Sequence, residues 1–315
     1  MTSNLTLSVI VVNWQVRDLL RDCLRSLFEH MLLPPTTWEL IVVDNNSSDD
    51  SVGMVREEFP GAEVIANSQN EGFGKANNQA FRISRGKYVL LLNPDTVILN
   101  NAINFMLQLI ESRPDVGALG CGLLNSEGLF SPWAGGSLPT LGNVASHFLL
   151  LNKILPHSLL PRSLYLQKDP STDLEVGWVS GACMLLRKEA LKEEIFDERF
   201  FLYGEDIDLC DRLTRSGWKV LYTPRARIVH LEGQSLQSQS PEIQMSKVRA
   251  MRELFSHRHN RVALFCYDLI VTFGFFLRTA LFALAAVTRP GRGYEFRSAK
   301  SRQYSGEALR ALFGR

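Results

Sequence analysis

The first half of this chain alternates strand-like and helix-like segments, and no other feature of the sequence restricts its fold as much. Leu7-Ser8-Val9-Ile10-Val11-Val12 is apolar and β-branched at consecutive positions, the pattern of a strand covered on both faces. Residues 16–30 follow with Leu19, Leu20, Cys23, Leu24, Leu27 and Phe28 at helical spacing, and Pro34-Pro35 closes the unit. The alternation continues with strands expected at 39–43, 63–66, 88–92 and 116–119, and helices at 51–59, 74–84 and 101–112. Strand–helix units of this length predict an α/β fold: a mostly parallel, Rossmann-like sheet flanked by helices.

Residues 126–173 are less regular. Pro132, Pro139, Pro156, Pro161 and Pro170 interrupt them, and they read as a long connection with short helices, a candidate substrate loop. Regular patterns return as a strand over 177–187, a helix over 205–216 and a strand over 218–222.

Composition excludes several classes. A chain of 315 residues, 45% hydrophobic and 21% charged, is neither disordered nor collagenous and can bury a full core. A formal net charge of +1 gives no global basic footprint for nucleic acid. Five scattered cysteines (Cys23, Cys121, Cys183, Cys210 and Cys266) form no metal-ligand spacing and suit a reducing compartment. The uncharged start before Leu7 lacks the pattern of a signal peptide, so the N-terminus is expected in the cytoplasm.

In a parallel α/β sheet, ligands bind beyond the carboxyl ends of the strands. The residues that follow each strand here are Asn13-Trp14, Asp44-Asn45-Asn46-Ser47-Ser48-Asp49, Asn67 with Asn70-Glu71-Gly72-Phe73-Gly74, and Asn93-Pro94-Asp95-Thr96. Amides and carboxylates therefore collect along one edge, suited to hydroxyls, base edges and a divalent cation. No G-x-G-x-x-G follows the first strand and no Walker sequence is present, so a dinucleotide or P-loop site is not expected. Each element also has a plainer reading. Asp44 suits an Asx-turn, Asn93-Pro94-Asp95 is a turn signal, and Gly72-Phe73-Gly74 is a common helix entry.

The sharpest local feature is Phe200-Phe201-Leu202-Tyr203-Gly204-Glu205-Asp206-Ile207-Asp208. Acidic residues in a first helical turn complement the helix dipole, which accounts for Asp208 and Asp211. Glu205 and Asp206 lie at the tip behind an aromatic run, where desolvation and mutual repulsion raise proton affinity and suit general-base work. His230 is a lone histidine that gains interest beside a suspected cation site.

Together these stretches resemble family 2 glycosyltransferases, most closely their bacterial rhamnosyltransferase-like branch. The matching residues are Val9-Ile10-Val11-Val12-Asn13, Val42 through Asp49, Asn70 through Asn78, Leu91 through Asp95, Val179 through Met184, Phe196-Asp197-Glu198 running on through Cys210, Gly217-Trp218 and His230. The resemblance spans about residues 7–235. It implies a GT-A fold and an inverting hexosyltransferase. The donor would be a nucleoside-diphosphate sugar, dTDP-rhamnose-like or a UDP-sugar. The acceptor would be a saccharide or lipid-linked glycan in cell-surface polysaccharide synthesis.

Carried over by position, Asp44 corresponds to the carboxylate that recognises the nucleotide base, with Asn13 and Asn46 beside it. Gly72, Gly74 and Asn77 match the donor-side loop and helix. Asn93-Pro94-Asp95 matches the Asp-x-Asp metal motif, with Asn93 in place of the first Asp, so Asp95 is its one anionic ligand for Mg²⁺ or Mn²⁺. His230 falls where some members supply a further ligand. Asp206 corresponds to the catalytic base, with Glu205 adjacent. Trp178 and Gly181 fall on the acceptor side, where the Trp178 ring would stack on a sugar face; ordinary core packing explains Trp178 equally well. Two alternatives stand beside this reading. A sugar nucleotidyltransferase would want a basic Gly-rich loop where Asn13-Trp14 stands, and a non-catalytic membrane-surface scaffold has no need of Asp95 and Glu205-Asp206.

Residues 262–287 are long and apolar enough to cross a bilayer, yet contain Asp268 and Arg278. Asp268, Thr272 and Thr279 share one stripe of a helical wheel, which favours a helix or helix pair lying in the membrane surface. A basic tail, Thr288–Arg315, follows; the whole segment 258–315 holds ten Lys/Arg against three Asp/Glu, a balance of +7, and residues 1–257 hold 24 against 30, a balance of −6. The expected organisation is a catalytic domain over 1–257, with a nucleotide-sugar half to about 125 and an acceptor half beyond it. A membrane-associating segment over 258–315 would then work at the cytoplasmic face of the inner membrane, peripheral or monotopic.

Overall fold

The computed structural model describes residues 5–231, 241–288 and 294–313; Arg289, Arg292 and Arg315 of the expected basic tail lie outside them. In chain order the elements are β1 (Leu7–Asn13), α1 (Arg17–His30), β2 (Trp38–Asp44), α2 (Ser51–Glu58), β3 (Glu63–Ala66), α3 (Phe73–Ile83), β4 (Tyr88–Leu92), β5 (Thr96–Ile98), α4 (Ala102–Ser112) and β6 (Val116–Leu124). They continue with β7 (Gly135–Gly136), α5 (Leu141–Phe148), β8 (Leu174–Glu175), β9 (Trp178–Val179), β10 (Cys183–Arg187), α6 (Glu205–Arg215), β11 (Lys219–His230), α7 (Pro241–Arg258), α8 (Arg261–Thr288) and α9 (Tyr294–Phe313). The chain forms two compact units, Met1–Gly136 with Tyr165–Ser240, and Ser137–Leu164 with Pro241–Arg315.

The first unit is built on a sheet of order β3-β2-β1-β4-β10-β6-β11-β5, with β8 paired to β11. β3, β2, β1 and β4 run parallel, because a helix returns the chain after each strand. Every residue of β1 and β4 is buried, which accounts for their unbroken apolar sequence. β10 is antiparallel to both β4 and β6, with Cys183 opposite Leu92. That reversal brings residues 180–182, which precede β10, to the edge where β4 ends.

Four features depart from the sequence reading. β6 extends nine residues to Leu124, not four, because its glycines hide the strand pattern. A Cβ on Gly117 would meet Trp218 Cβ at 2.9 Å and one on Gly120 would meet Val179 Cβ at 2.5 Å, so neighbouring side chains fill the space. β11 runs twelve residues and passes Pro224 where its register on β6 shifts between Thr223 and Arg227, a place where a strand tolerates proline. The strand expected over 177–187 is two strands, β9 and β10, divided at residues 180–182. β5, only three residues long, was not anticipated.

The second unit is helical. The connection over 126–173 does contain a short helix, α5, started by a reciprocal Thr140–Asn143 capping box. α8 is a single helix of 28 residues. The region read as a basic tail forms α9. Its buried seam is Ser298, Ser301, Ser305 and Ala308, spaced three, four and three residues apart. A helix that packs through small polar residues has no hydrophobic period to detect. Within this unit Ser298 Oγ donates to Thr279 O at 3.2 Å, Phe275 meets Tyr304 at 5.2 Å, and Phe255 stacks on Tyr267 at 4.6 Å.

Candidate active site

Asn13 and Asp44 are register partners at the carboxyl ends of β1 and β2, so their side chains emerge together. Asn13 Nδ2 donates to Asp44 Oδ1 at 2.8 Å, and Ser47 N donates to Asp44 Oδ2 at 2.8 Å. Both oxygens of a buried carboxylate are thereby held in place. Asn13 Oδ1, also buried, has no hydrogen-bond partner among the described residues. An orphaned buried acceptor is costly in an isolated protein and suits a ligand N–H or O–H. Asn46, with φ of 62°, is exposed on the following turn.

Behind this edge Asn45 Nδ2 donates to Gly72 O at 3.1 Å, and Asn67 Nδ2 donates to Asn45 Oδ1 at 2.9 Å. These bonds fix the loop that enters α3. Gly72 has φ of 83°, and a Cβ there would lie 2.8 Å from both the ring and the carbonyl of Phe201. Phe73 N donates to Phe201 O at 3.0 Å, and Gly72 N donates to Asn70 Oδ1 at 2.9 Å. The amides of Gly72 and Phe73, at the entry to α3, are therefore committed within the protein, and Gly72 and Gly74 let the segment 196–201 approach closely. Asn77, expected on the donor side, is 1% exposed, and its Nδ2 donates to Phe73 O at 2.9 Å within its own helix. Asn78, to which the sequence pattern assigned no role, clamps the same segment. Its Nδ2 donates to Phe196 O at 2.9 Å, and its Oδ1 accepts from Ile195 N and Phe196 N.

Asp95 and His230 are separated by 135 positions and joined by the unanticipated β5. His230 is the register partner of Thr96, and Leu231 N donates to Asp95 O at 2.9 Å. His230 Nε2 lies 3.2 Å from Asp95 Oδ1 and 3.5 Å from Asn93 Nδ2. Asn93 Oδ1 is buried and without a hydrogen-bond partner among the described residues. Adjacent donors around an octahedral hard cation with bonds of about 2.1 Å sit about 3 Å apart, so this pair fits one side of such a site. No cluster of three His, Cys, Asp or Glu occurs among the described residues, so the other corners would fall to substrate oxygens and water.

Asp206 stands in the first turn of α6, entered through two left-handed residues, Tyr203 (φ 71°) and Gly204 (φ 88°). Its half-buried carboxylate accepts from Ile207 N at 2.8 Å and from Gly181 N at 3.3 Å. Burial raises its proton affinity, against the opposing effect of those amides. Glu205 is 6% exposed, its Oε2 has no hydrogen-bond partner among the described residues, and its proton affinity is raised first by burial and then by the charge of Asp206. The two titrate as a pair above the ordinary carboxylate range.

Gly181 and Ala182 connect these regions. Gly181 N donates to Asp206, and the neighbouring Ala182 O accepts from Asn93 N at 3.0 Å. Trp178 does not present a ring face. It is 4% exposed and meets Tyr165 edge-on at 6.0 Å, which favours the core-packing alternative. Trp133, which the sequence reading passed over, is 46% exposed and meets the other side of that cluster, 4.5 Å from Tyr165.

The family model described as Glycosyl transferase family 2 matches residues 8–195, and one described as Glycosyltransferase like family 2 matches 163–251. N-acetylglucosaminyl-diphospho-decaprenol L-rhamnosyltransferase of Mycobacterium tuberculosis is 28% identical over 208 residues, 62% of this chain and 67% of the relative. Rhamnosyltransferase WbbL of Escherichia coli is 26% identical over 219 residues, 66% of this chain and 78% of the relative. Among solved structures, the mannosyltransferase PcManGT of Pyrobaculum calidifontis, in complex with GDP-Man and Mn²⁺, superposes with a TM-score of 0.61 at 14% identity. That match covers 98% of this chain and 87% of the other.

Proposed function

The chain belongs to glycosyl transferase family 2, and from that membership we propose that it transfers a hexose, with inversion, from a nucleoside-diphosphate sugar to a hydroxyl of a lipid-linked saccharide. One observation carries the reading. Consecutive residues, Gly181 and Ala182, hydrogen-bond to the Asp206 carboxylate on one side and to the Asn93-Pro94-Asp95 turn on the other. A proton acceptor and the carboxylate suited to a diphosphate-bound cation are thus tied to one short segment.

The reaction is a single displacement. Asp206 accepts the proton of the acceptor hydroxyl while that oxygen bonds to the anomeric carbon. The bond from that carbon to the diphosphate oxygen breaks, and its electron pair leaves with the nucleoside diphosphate. Glu205, raised in proton affinity, stays protonated near neutrality and leaves Asp206 as the anion of the pair. Asp44, Asn13 and Asn46 bind the nucleoside, with Asn13 Oδ1 available to a donor N–H or O–H. Gly72, Gly74 and Asn77 shape the loop beside them without touching the ligand. Mg²⁺ or Mn²⁺, held by Asp95 and His230, would neutralise charge on the departing diphosphate.

The name of the mycobacterial relative describes transfer to a saccharide on a diphospho-polyprenol, and such an acceptor lies at a membrane. Transfer is assigned to 1–257 and surface binding to 258–315, at the cytoplasmic face of the inner membrane. α8 is the one helix among the described residues long and apolar enough to cross a bilayer. Its charges favour lying in the surface. Asp268 takes two hydrogen bonds from Arg252, at 2.8 and 2.9 Å, and Arg278 donates to His147 O and Phe148 O. Both are therefore satisfied within the helical unit, while Phe265, Phe273 and Phe276 are exposed.

The test is a panel of nucleotide sugars offered to the full-length protein with Mg²⁺ or Mn²⁺, followed by proton NMR of the anomeric centre. Consumption of one donor with inverted product is expected. A retained anomeric configuration would overturn the single displacement, and neither binding nor turnover of any donor would overturn the transferase assignment.

A further inference from the structure

We propose that a neutral pyranose ring of the acceptor binds in a pocket beyond the end of β6, with one face against the Trp133 indole. This rests on the transferase reading and names a subsite within it. The pocket has a volume of about 270 Å³, near the lower bound of about 300 Å³ for small-ligand sites. Asn125, Ser126, Phe130, Ser131, Trp133 and His230 contribute to its lining.

The lining identifies the ligand class. Among the described residues it contains no Lys, Arg, Asp or Glu, and His230 is its one ionisable group, so it suits a neutral ligand better than a phosphate or a free amino or carboxyl group. It combines aromatic surface with hydroxyl and amide groups, the pairing that a sugar requires. One face of a pyranose carries clustered C–H bonds that pack on an aromatic ring, and its hydroxyls need polar partners at the rim. The amide orientation of Asn125 is fixed, because its Oδ1 accepts from Glu127 N at 3.0 Å and Leu129 N at 2.9 Å. The Nδ2 group is then the donor that this turn does not consume.

Trp133 is exposed yet held. Ser131 caps the turn that carries it, and Tyr165 braces its ring at 4.5 Å and 61°. A braced aromatic loses little further freedom when a ligand stacks on it, so such an exposed ring suits a binding platform.

The pocket also has the right neighbours. His230 lines it and stands 3.2 Å from Asp95, on the side assigned to the diphosphate. Tyr165, against which Trp133 packs, also meets Trp178, three residues before the Gly181 amide that donates to Asp206. A ring on Trp133 is therefore linked through His230 to Asp95 and through Tyr165 and Trp178 to the segment that holds Asp206.

The test uses the full-length protein and binding of methyl β-glucoside, methyl α-mannoside and methyl N-acetyl-β-glucosaminide by saturation-transfer NMR, with acyclic mannitol as control. Trp133→Ala should weaken the best glycoside about tenfold or more, as loss of one stacking platform does, while Trp133→Phe should cost about threefold or less. Ser126→Trp, which fills the pocket from an exposed position and leaves Trp133 intact, should abolish glycoside binding. UDP and dTDP affinity should stay within about twofold in all three variants. Glycoside binding unchanged in Trp133→Ala or Ser126→Trp would overturn the proposal, as would wild-type protein that prefers no glycoside to mannitol. If UDP and dTDP still bind in those cases, only the pocket assignment falls; if the wild type binds no nucleotide or nucleotide sugar, the transferase reading itself falls.

Discussion

The two compact units differ in what their most prominent unsatisfied groups line: a strand edge in one, a helix face in the other. In the sheet unit, unpaired buried polar atoms gather at the carboxyl edge of the strands and the start of α6: Asn13 Oδ1, Asn93 Oδ1 and Glu205 Oε2 lack hydrogen-bond partners among the described residues. In the helical unit Asp268 and Arg278 of α8 are paired within the unit, and exposed apolar side chains line one face: Val262, Phe265, Phe273, Phe276, Leu284 and Val287. Buried orphan acceptors suit a small polar ligand, whereas a continuous exposed apolar face suits the lipid surface proposed for it.

Changes confined to one unit should therefore leave the other's chemistry intact. The largest effect is expected from Asp206→Asn, which should lower kcat by about 10²–10⁴-fold while nucleotide affinity stays nearly unchanged. Steady-state kinetics with parallel titration of UDP or dTDP checks this, and near-normal turnover would remove Asp206 from the base role. Next is the triple change Phe265→Ser, Phe273→Ser and Phe276→Ser. Loss of three exposed aromatic side chains should weaken partitioning onto phosphatidylglycerol-containing vesicles about a hundredfold, with nucleotide binding unaffected. Undiminished sedimentation with vesicles would assign the apolar face to something other than lipid.

A smaller effect follows from Asp95→Ala or removal of divalent ions, either of which should weaken nucleoside-diphosphate affinity about tenfold. Calorimetry in excess chelator measures it, and equal affinity with and without the ion would show a metal-independent site. Smallest is the effect of Glu205→Gln on stability. Burial raises Glu205 in the folded protein, so the folded state holds that proton more tightly than the unfolded chain. The resulting stabilisation is complete below the ordinary carboxylate range and is lost as pH rises through the raised folded value. Glu205→Gln should therefore melt a few degrees higher than the wild type at about pH 8 and equally at about pH 4. A variant that melts lower at both would mean that the charged carboxylate is stabilised by its surroundings.

The legible parts of this molecule are those where one periodicity acts alone. β1 and β4 are covered on both faces and read as unbroken apolar runs. Asp44, Asp95 and Asp206 are visible because each follows a strand or an aromatic run at an element boundary. Three features escaped for physical reasons. Trp133 lies on an irregular Pro132 turn with no period to place it, and burial of Trp178 removes the ring that appeared better placed. Asn78 is one of two adjacent asparagines in a helix, and which one turns outward to clamp Phe196 depends on helix phase. The pairing of Asp95 with His230 depends on β5, whose three residues are too few to show alternation.

Gly72 carries a last consequence. Its hydrogen atom stands where any side chain would press on the ring and carbonyl of Phe201, five residues before Asp206. A substitution made to probe nucleotide recognition at this loop would displace the segment that leads to the catalytic helix. Its kinetic signature would be that of a damaged base, with turnover falling further than donor affinity. Under the proposed assignment, donor loop and base are one mechanical part, and substitutions along the line where they touch affect both.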